Sequence, residues 1–262
     1  MRINGHLLTK SVLKKLSHCL KRTEASVIAN LVFTDKEFQK IKRKENKLFS
    51  NYPVEYLIGQ CDFYKYKFYI QRGVFIPRPE TENIVEFVLD WLKSKKIDSA
   101  KILDLCSGSG CVGITILLEC LRQGIRASLT LVDKSKKAIA TCLKNTKLHK
   151  INAAVIQSDL FKHVKGKFTV IVFNPPYLMP NEITGSLQYE PRRALVGSKD
   201  GITLYKSFFE NLPSFVEDDF LTVMETSEAL VPKLITLGQK LKLNLRLIKT
   251  ESKVAFLAVS SV

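Results

Sequence analysis

Lys101-Ile102-Leu103-Asp104-Leu105-Cys106-Ser107-Gly108-Ser109-Gly110-Cys111 decides how this chain folds. Its first five residues read as a short buried strand. Two glycines in a tight turn then open an apolar helix over 111–121. Downstream the same rhythm repeats, with a strand at 129–132, a helix at 135–148 and a strand at 153–156. A further strand at 168–173 is nearly all apolar, as a central parallel strand buried on both faces should be. Such alternation predicts an α/β chain with a doubly wound parallel sheet. A fifth strand is expected at 221–224, and an antiparallel pair at 243–248 and 254–259. Between them, residues 174–200 form a long polar interruption, which in a compact domain is usually functional.

Upstream of the deciding stretch the texture differs. The first 55 residues read as helical, with Ala25, Ile28, Ala29 and Val32 at helix spacing and a strongly basic run over 35–50. Asn51-Tyr52-Pro53 ends that pattern. Residues 63–70 alternate and are rich in aromatics, which predicts a strand. Gln71-Arg72-Gly73 reads as a turn and Val74-Phe75-Ile76 as the return strand of a hairpin. Pro77-Arg78-Pro79 enforces an extended segment, and Thr81 or a neighbour is placed to cap a helix over 82–93.

Composition narrows the class. The chain has 262 residues, 45% hydrophobic and 25% charged, enough for a real core and unlike a disordered or collagen-like chain. Six cysteines, at 19, 61, 106, 111, 120 and 142, form no CxxC pair and have no histidine at metal-ligand spacing. They read as reduced thiols in a reducing compartment, with no metal site. Cys111 and Cys120 read as small buried apolar groups. No apolar run approaches the ~20 residues that span a bilayer. Forty-one Lys and Arg against 25 Asp and Glu give a net charge of +16. That excess fits nucleic acid, a ribosome-associated partner or an acidic protein surface, and equally a lysine-rich background. The first acidic residue is Glu24, so the basic N-terminus also fits an organelle transit peptide. A cytoplasmic protein is expected, with mitochondrion or plastid as the alternative.

Three features carry chemistry. The turn Cys106-Ser107-Gly108-Ser109-Gly110 lies where open α/β sheets bind ligands. Its spacing is not G-x-G-x-x-G, and a structural turn is its plain alternative. Asp133 follows the second strand, placed to accept hydrogen bonds from ribose hydroxyls. Turn and acid together suit an adenosine ligand, either NAD or S-adenosylmethionine. Asn174-Pro175-Pro176-Tyr177 follows directly on the fourth strand. From average composition, this tetrapeptide arises by chance in roughly one protein of this length in a thousand. Two prolines stiffen the backbone and leave carbonyls free, the asparagine adds an acceptor, and the tyrosine offers a flat face. That set suits a planar –NH₂ group. His149 and His163 have no evident partners and no role.

Asn174-Pro175-Pro176-Tyr177 after strand four resembles the signature of S-adenosylmethionine-dependent methyltransferases acting on amide or exocyclic nitrogen. More closely, the chain resembles the protein glutamine methyltransferases that modify peptide-chain release factors, from about residue 24 to the last strands. Pro53-Val54-Glu55-Tyr56-Leu57-Ile58-Gly59 resembles that family's junction after its helical domain. Phe63-Tyr64 and Ile76-Pro77-Arg78-Pro79-Glu80-Thr81-Glu82 resemble its hairpin and the lead into its catalytic domain. Tyr189-Glu190-Pro191, Ala194-Leu195 and Asp200-Gly201 resemble its long loop.

The resemblance implies a Rossmann-like class I methyltransferase. It places a helical substrate-docking domain at 1–58, a β-hairpin linker at 59–79 and a catalytic domain at 80–262. It implies S-adenosyl-L-methionine as cofactor, S-adenosyl-L-homocysteine as product, and the glutamine of a release factor's Gly-Gly-Gln loop as target. Cys106 to Gly110 would wrap the methionine part of the cofactor, Asp133 the ribose, and Asp159 with Leu160 the adenine. Asn174, Pro175, Pro176 and Tyr177 would hold the glutamine amide, with Asn174 also near the cofactor. Arg78 and Glu82 help to close the pocket or are plain surface charges. A monomer is expected, with no membrane and no obligatory nucleic acid. Ribosomal-protein glutamine methylation and DNA or RNA adenine methylation are the rival readings.

The chain departs from the family at Cys106, where glycine is usual, and a thiol fits there if φ stays negative. Leu160 replaces an aromatic, and Met224-Glu225-Thr226 lacks the glycine of an expected Glu-x-Gly.

Overall fold

The computed structural model describes residues 2–3, 6–7, 52–198 and 200–261. The helices expected at 24–33 and 35–50 lie outside them. Arg2–Ile3 (β1) and His6–Leu7 (β2) pair antiparallel, which corrects the helical reading of the first residues. A short helix, Val54–Ile58 (α1), leads into a hairpin of Gln60–Phe63 (β3) and Tyr66–Tyr69 (β4).

The remaining elements build one sheet. Glu82–Ser94 (α2) precedes Ser99–Leu105 (β5), Cys111–Arg122 (α3), Arg126–Asp133 (β6), Lys136–Leu148 (α4) and Ala154–Gln157 (β7). Phe168–Phe173 (β8), Arg192–Leu195 (α5), Thr203–Asn211 (α6), Val216–Ser227 (β9) and Val231–Lys240 (α7) follow. Leu245–Glu251 (β10) and Val254–Ser260 (β11) end the chain. The seven-stranded order is β10-β11-β9-β8-β5-β6-β7. Strands β5 to β9 pair parallel, whereas β11 runs antiparallel to both β9 and β10. The doubly wound α/β sheet and its terminal antiparallel pair are therefore present. The strand order reverses at β5, whose neighbours are β6 and β8, and that reversal opens a crevice at the strands' carboxyl ends.

Period-2 alternation distributes the core over two faces. Ile102, Val170, Val172 and Val223 join Ile84, Val88, Leu92, Ile114 and Leu117 of α2 and α3 on one side. Leu103, Leu105, Ile171, Phe173 and Met224 join Tyr205, Phe208 and Leu234 on the other. All six residues of β8 are buried. Each such apolar side chain contributes about 1.5–3 kcal/mol on burial, so the strands that carry the crevice are the best anchored.

Several expectations are corrected. The hairpin turn lies at Tyr64-Lys65, inside the aromatic run, and residues 74–76 form no return strand. Phe63 and Phe68 pack edge to face, 6.3 Å between centroids, and Tyr64 takes φ +55° to close the turn between them. Around 74–76 the backbone is satisfied by side chains instead of a ladder. Tyr56 donates its hydroxyl to the Val74 carbonyl, and Ile76 N–H donates to Glu190 at 3.0 Å. Thr81 caps nothing. It is the last residue of the 3₁₀ turn Pro79–Thr81, already at helical φ −64°, and its side chain is buried.

Strand β9 is longer than 221–224 because its first half, with Glu217, Asp218 and Asp219, carries no apolar pattern. Thr169 donates to Glu217 at 2.7 Å there. Residues 174–198 are folded, with 3₁₀ turns at Pro180–Glu182 and Gly185–Tyr189 and a bridge from Leu178 to Val196.

Candidate active site

The crevice holds a cavity of about 690 Å³. It is lined by the turn after β5, the ends of β6, β7 and β8, residues 73–78 and the strap over 187–198. Cys106, Ser107, Gly108, Ser109, Asp133, Asp159, Leu160, Asn174, Pro175, Pro176 and Tyr177 all border it. Gly110, the remaining candidate, lies behind the wall at φ +80° and starts α3.

The turn is set by its backbone. Ser107 N–H donates to the Val132 carbonyl at 3.0 Å, and Gly110 N–H to the Ser107 carbonyl at 2.7 Å. Gly108 takes φ +56°, and a Cβ added to it would meet no atom within 4 Å. That open space is a cradle, which a side chain would begin to fill. Cys106 takes φ +60°, against the negative value its fit was expected to need. Leu160, on the far wall, takes φ +47°. Left-handed backbone at a non-glycine residue costs about 1–2 kcal/mol, and such strain clusters at functional sites.

Asp133 organises the floor. Its Oδ2 accepts Gly108 N–H at 2.9 Å and its Oδ1 accepts Ser135 N–H at 2.7 Å. Burial pushes its pKa above the usual carboxylate value, against these N–H bonds and the Arg193 charge. Each oxygen keeps a lone pair for a further donor, so a diol fits beside it. Asp159 is exposed and receives Lys134 Nζ at 2.6 Å.

Asn174 leaves the end of β8, half-buried, followed by buried Pro175 and half-buried Pro176 and Tyr177. The Tyr177 hydroxyl donates to Glu225 Oε1 at 2.8 Å.

Asp104 and Glu225 were given no role in the sequence, whereas Arg78 and Glu82 were read as closing the pocket or as surface charges. Asp104 borders the cavity beneath the turn, and burial pushes its carboxyl up to about 7 although Gly113 N–H donates to it at 2.9 Å. Gly113 is required there: a Cβ would lie 2.9 Å from Asp104. Arg78 borders the cavity and pairs with buried Glu190, tying residues 76–78 to the strap. Glu82 accepts Tyr64 N–H at 2.8 Å and steadies the hairpin instead. Glu225 closes the site from beneath and is 1% exposed. The Arg78 and Glu190 strings were visible in sequence, but nothing there said that they meet. Cys111 and Cys120 are buried free thiols, as expected. His149 lies 3.0 Å from the Lys67 carbonyl, away from the cavity.

No helix among the described residues is long and apolar enough to cross a membrane. Residues 65–191 match the model of the methyltransferase small domain. The fold is similar to a 16S rRNA N2 G1207 methyltransferase of T. Thermophilus solved with AdoMet and guanosine. The TM-score is 0.57 at 13% identity, over 78% of this chain and 50% of that one. The fold is therefore that of the Rossmann-like class I methyltransferases. A release factor glutamine methyltransferase of Borreliella burgdorferi is 32% identical over 229 residues, 85% of this chain and 78% of its own length. Another, from Thermodesulfovibrio yellowstonii, is 34% identical over 221 residues, 81% of this chain and 77% of its own length. With a glycine-cradled turn, a carboxylate floor and Asn-Pro-Pro-Tyr opening onto one cavity, the chain belongs to the release factor glutamine methyltransferase family.

Proposed function

We propose that this chain transfers a methyl group from S-adenosyl-L-methionine to the side-chain amide nitrogen of the glutamine in a release factor's Gly-Gly-Gln motif. The observation that carries this reading is that Asn174 to Tyr177 border the same cavity as the Cys106–Gly108 cradle and Asp133. The cradle's open space and the free lone pairs of Asp133 suit the cofactor, which when bound supplies a methyl on a positively charged sulfur. Cys106 to Gly110 would follow its methionine part, Asp133 the ribose hydroxyls, and Asp159 and Leu160 the adenine.

An amide nitrogen is a weak nucleophile, so the chain's contribution is position and electrostatics. Asn174 Oδ1 and the Pro175 carbonyl would accept the two –NH₂ hydrogens. Directed this way, they draw the nitrogen lone pair out of conjugation and toward the methyl carbon. Tyr177, its hydroxyl held by Glu225, would pack on the amide plane, and Pro176 keeps the segment rigid. The cofactor would supply the methyl group to this nitrogen and leave as S-adenosyl-L-homocysteine. The methylated amide then loses its extra proton to water, with no side chain required as base.

The N-terminal segment at 1–58 would dock the protein substrate, with the hairpin of 59–79 as linker to the catalytic domain of 80–262. The chain would act as a monomer in the cytoplasm.

Methyl-labelled S-adenosylmethionine tests the reading, with a release factor and its Gln→Ala version as substrates and duplex DNA and a ribosomal protein beside them. Label in the intact factor alone is the expected result. Label only in DNA or in the ribosomal protein would overturn the substrate while keeping the chemistry.

A further inference from the structure

Glu225 enters that mechanism only as the group that holds the Tyr177 hydroxyl, yet the chain buries it beneath the reacting segment. Register places it there: Phe173 of β8 pairs with Met224 of β9, so Asn174, the first residue past β8, lies beside Glu225, which continues in β9 and pairs with Phe256 of β11. Its carboxylate is 1% exposed, and Oε1 accepts the Tyr177 hydroxyl at 2.8 Å. Oε2 and the equally buried Thr81 hydroxyl each lack a hydrogen-bond partner. The side chains of Thr81 and Asn174 nonetheless lie close enough to act on the carboxylate as hydrogen-bonding groups. A buried, half-satisfied carboxylate costs several kcal/mol unless its remaining lone pairs are used. Its backbone carbonyl is occupied as well, accepting the Tyr205 hydroxyl at 2.8 Å, which fixes where the side chain begins.

Polarity gives this arrangement a function. An asparagine amide has an acceptor end and a donor end, and its neighbours decide which way each end points. Burial pushes the Glu225 carboxyl up, while Thr81, Tyr177 and Asn174 beside it favour its ionised form; ionised, it is acceptor-only and selects the –NH₂ end. We infer that Glu225 is a positioning residue: it draws the Asn174 –NH₂ toward itself, turns the Asn174 carbonyl toward the substrate amide, and anchors Tyr177 through its hydroxyl. One buried carboxylate thereby sets both side chains of the signature. The inference rests on the proposed function, because it needs Asn174 to act as an acceptor.

Glu225→Gln tests it with almost no change of shape. Glutamine can still accept the Tyr177 hydroxyl, but it then presents a donor toward Asn174. The Asn174 amide turns over and offers hydrogens to a group that also offers hydrogens. The expected result is a 10- to 100-fold fall in kcat, the range typical of residues that orient a reacting group, with KM and the cofactor Kd unchanged. Adding Asn174→Asp to Glu225→Gln restores acceptors on both sides, so the double variant should exceed either single one in kcat. Unaltered kcat in Glu225→Gln would overturn the inference, since it is what a protonated Glu225, itself a donor at Oε2, predicts. Lost cofactor binding would overturn it too, by showing a merely structural role.

A readout that needs no turnover separates this from the proposed function. In ¹⁵N spectra, the Asn174 side-chain –NH₂ pair is assigned by its loss in Asn174→Ala. That pair should be protected from solvent exchange in the parent chain and lose protection in Glu225→Gln. An unprotected pair in the parent overturns the inference whether or not any substrate is methylated. A protected pair with no methylation of any release factor sustains it and overturns the substrate.

Discussion

The two walls of the cavity are built on opposite principles. The turn over 106–110 is a backbone device: its carbonyls, N–H groups and positive φ angles set its shape, and its side chains are small. The wall over 174–177 is a side-chain device: prolines stiffen it, but the groups facing the reaction are aimed by Glu225, which lies 48 residues from Tyr177 in the chain. A backbone wall tolerates changes of side chain that keep its φ angles. A side-chain wall fails with one lost atom. The contrast places substitution tolerance on the cofactor side and intolerance on the substrate side.

The largest effect should come from Asn174→Ala, which removes one acceptor aimed at the substrate –NH₂. Loss of a single preorganised polar group at a reacting centre typically costs 10²–10³ in kcat, about 2.7–4 kcal/mol. Titration of cofactor binding should change far less, and an equal loss in both would erase the distinction between the walls.

Cys106 sharpens the other side. At φ +60°, Cys106→Gly removes the clash of Cβ with its own backbone but frees the unfolded chain. The two effects should leave stability within about 1 kcal/mol of the parent. Cys106→Val puts a stiff β-branched side chain at the same angle and should cost about 2 kcal/mol or more. Denaturant midpoints measured on the three proteins decide this. Equal midpoints would mean that the turn is not held by its backbone.

A pH-dependent effect concerns Asp104, beneath the turn. Burial raises its carboxyl from 3.8 to about 7, so the folded chain keeps a proton that the unfolded chain releases above about pH 4. The folded state then binds more protons than the unfolded, and its stability falls as pH rises through that window. The slope is at most about 1.4 kcal/mol per pH unit. Asp104→Asn can still accept Gly113 N–H, and should flatten this part of the stability profile. A profile unaltered by the substitution would show that Asp104 does not titrate in that range.

The same contrast explains what the sequence made legible. Strands β5 to β8 and helices α3 and α4 announce themselves through apolar periodicity and glycine punctuation, and their bounds move by only a few residues. The hairpin was displaced because Tyr64 and Lys65 carry no turn signature. Phe63 and Phe68, on either side of that turn, pack edge to face. Candidate residues local to one motif, Cys106 to Ser109 and Asn174 to Tyr177, could be read from their own stretch. Residues that act by meeting a distant partner could not. Glu190 takes its meaning from Arg78 and Ile76, and Glu225 from Tyr177. Thr81 shows the reverse error: a local capping rule fits its neighbourhood, while tertiary burial decides its role.

Strand β8 has a consequence in time as well as in space. It lies between β5 and β9, and none of its six residues reaches solvent appreciably. Such a strand opens only when the whole domain does, and its amide hydrogens exchange on the slowest timescale the molecule has. The signature hangs from its last residue. Pro175 and Pro176 carry no amide hydrogen, so exchange is silent through them, and the segment's persistence registers at Asn174 before them and Tyr177 after them. The acceptors proposed for the substrate thus hang from a strand buried along its whole length, and local opening should reach them late.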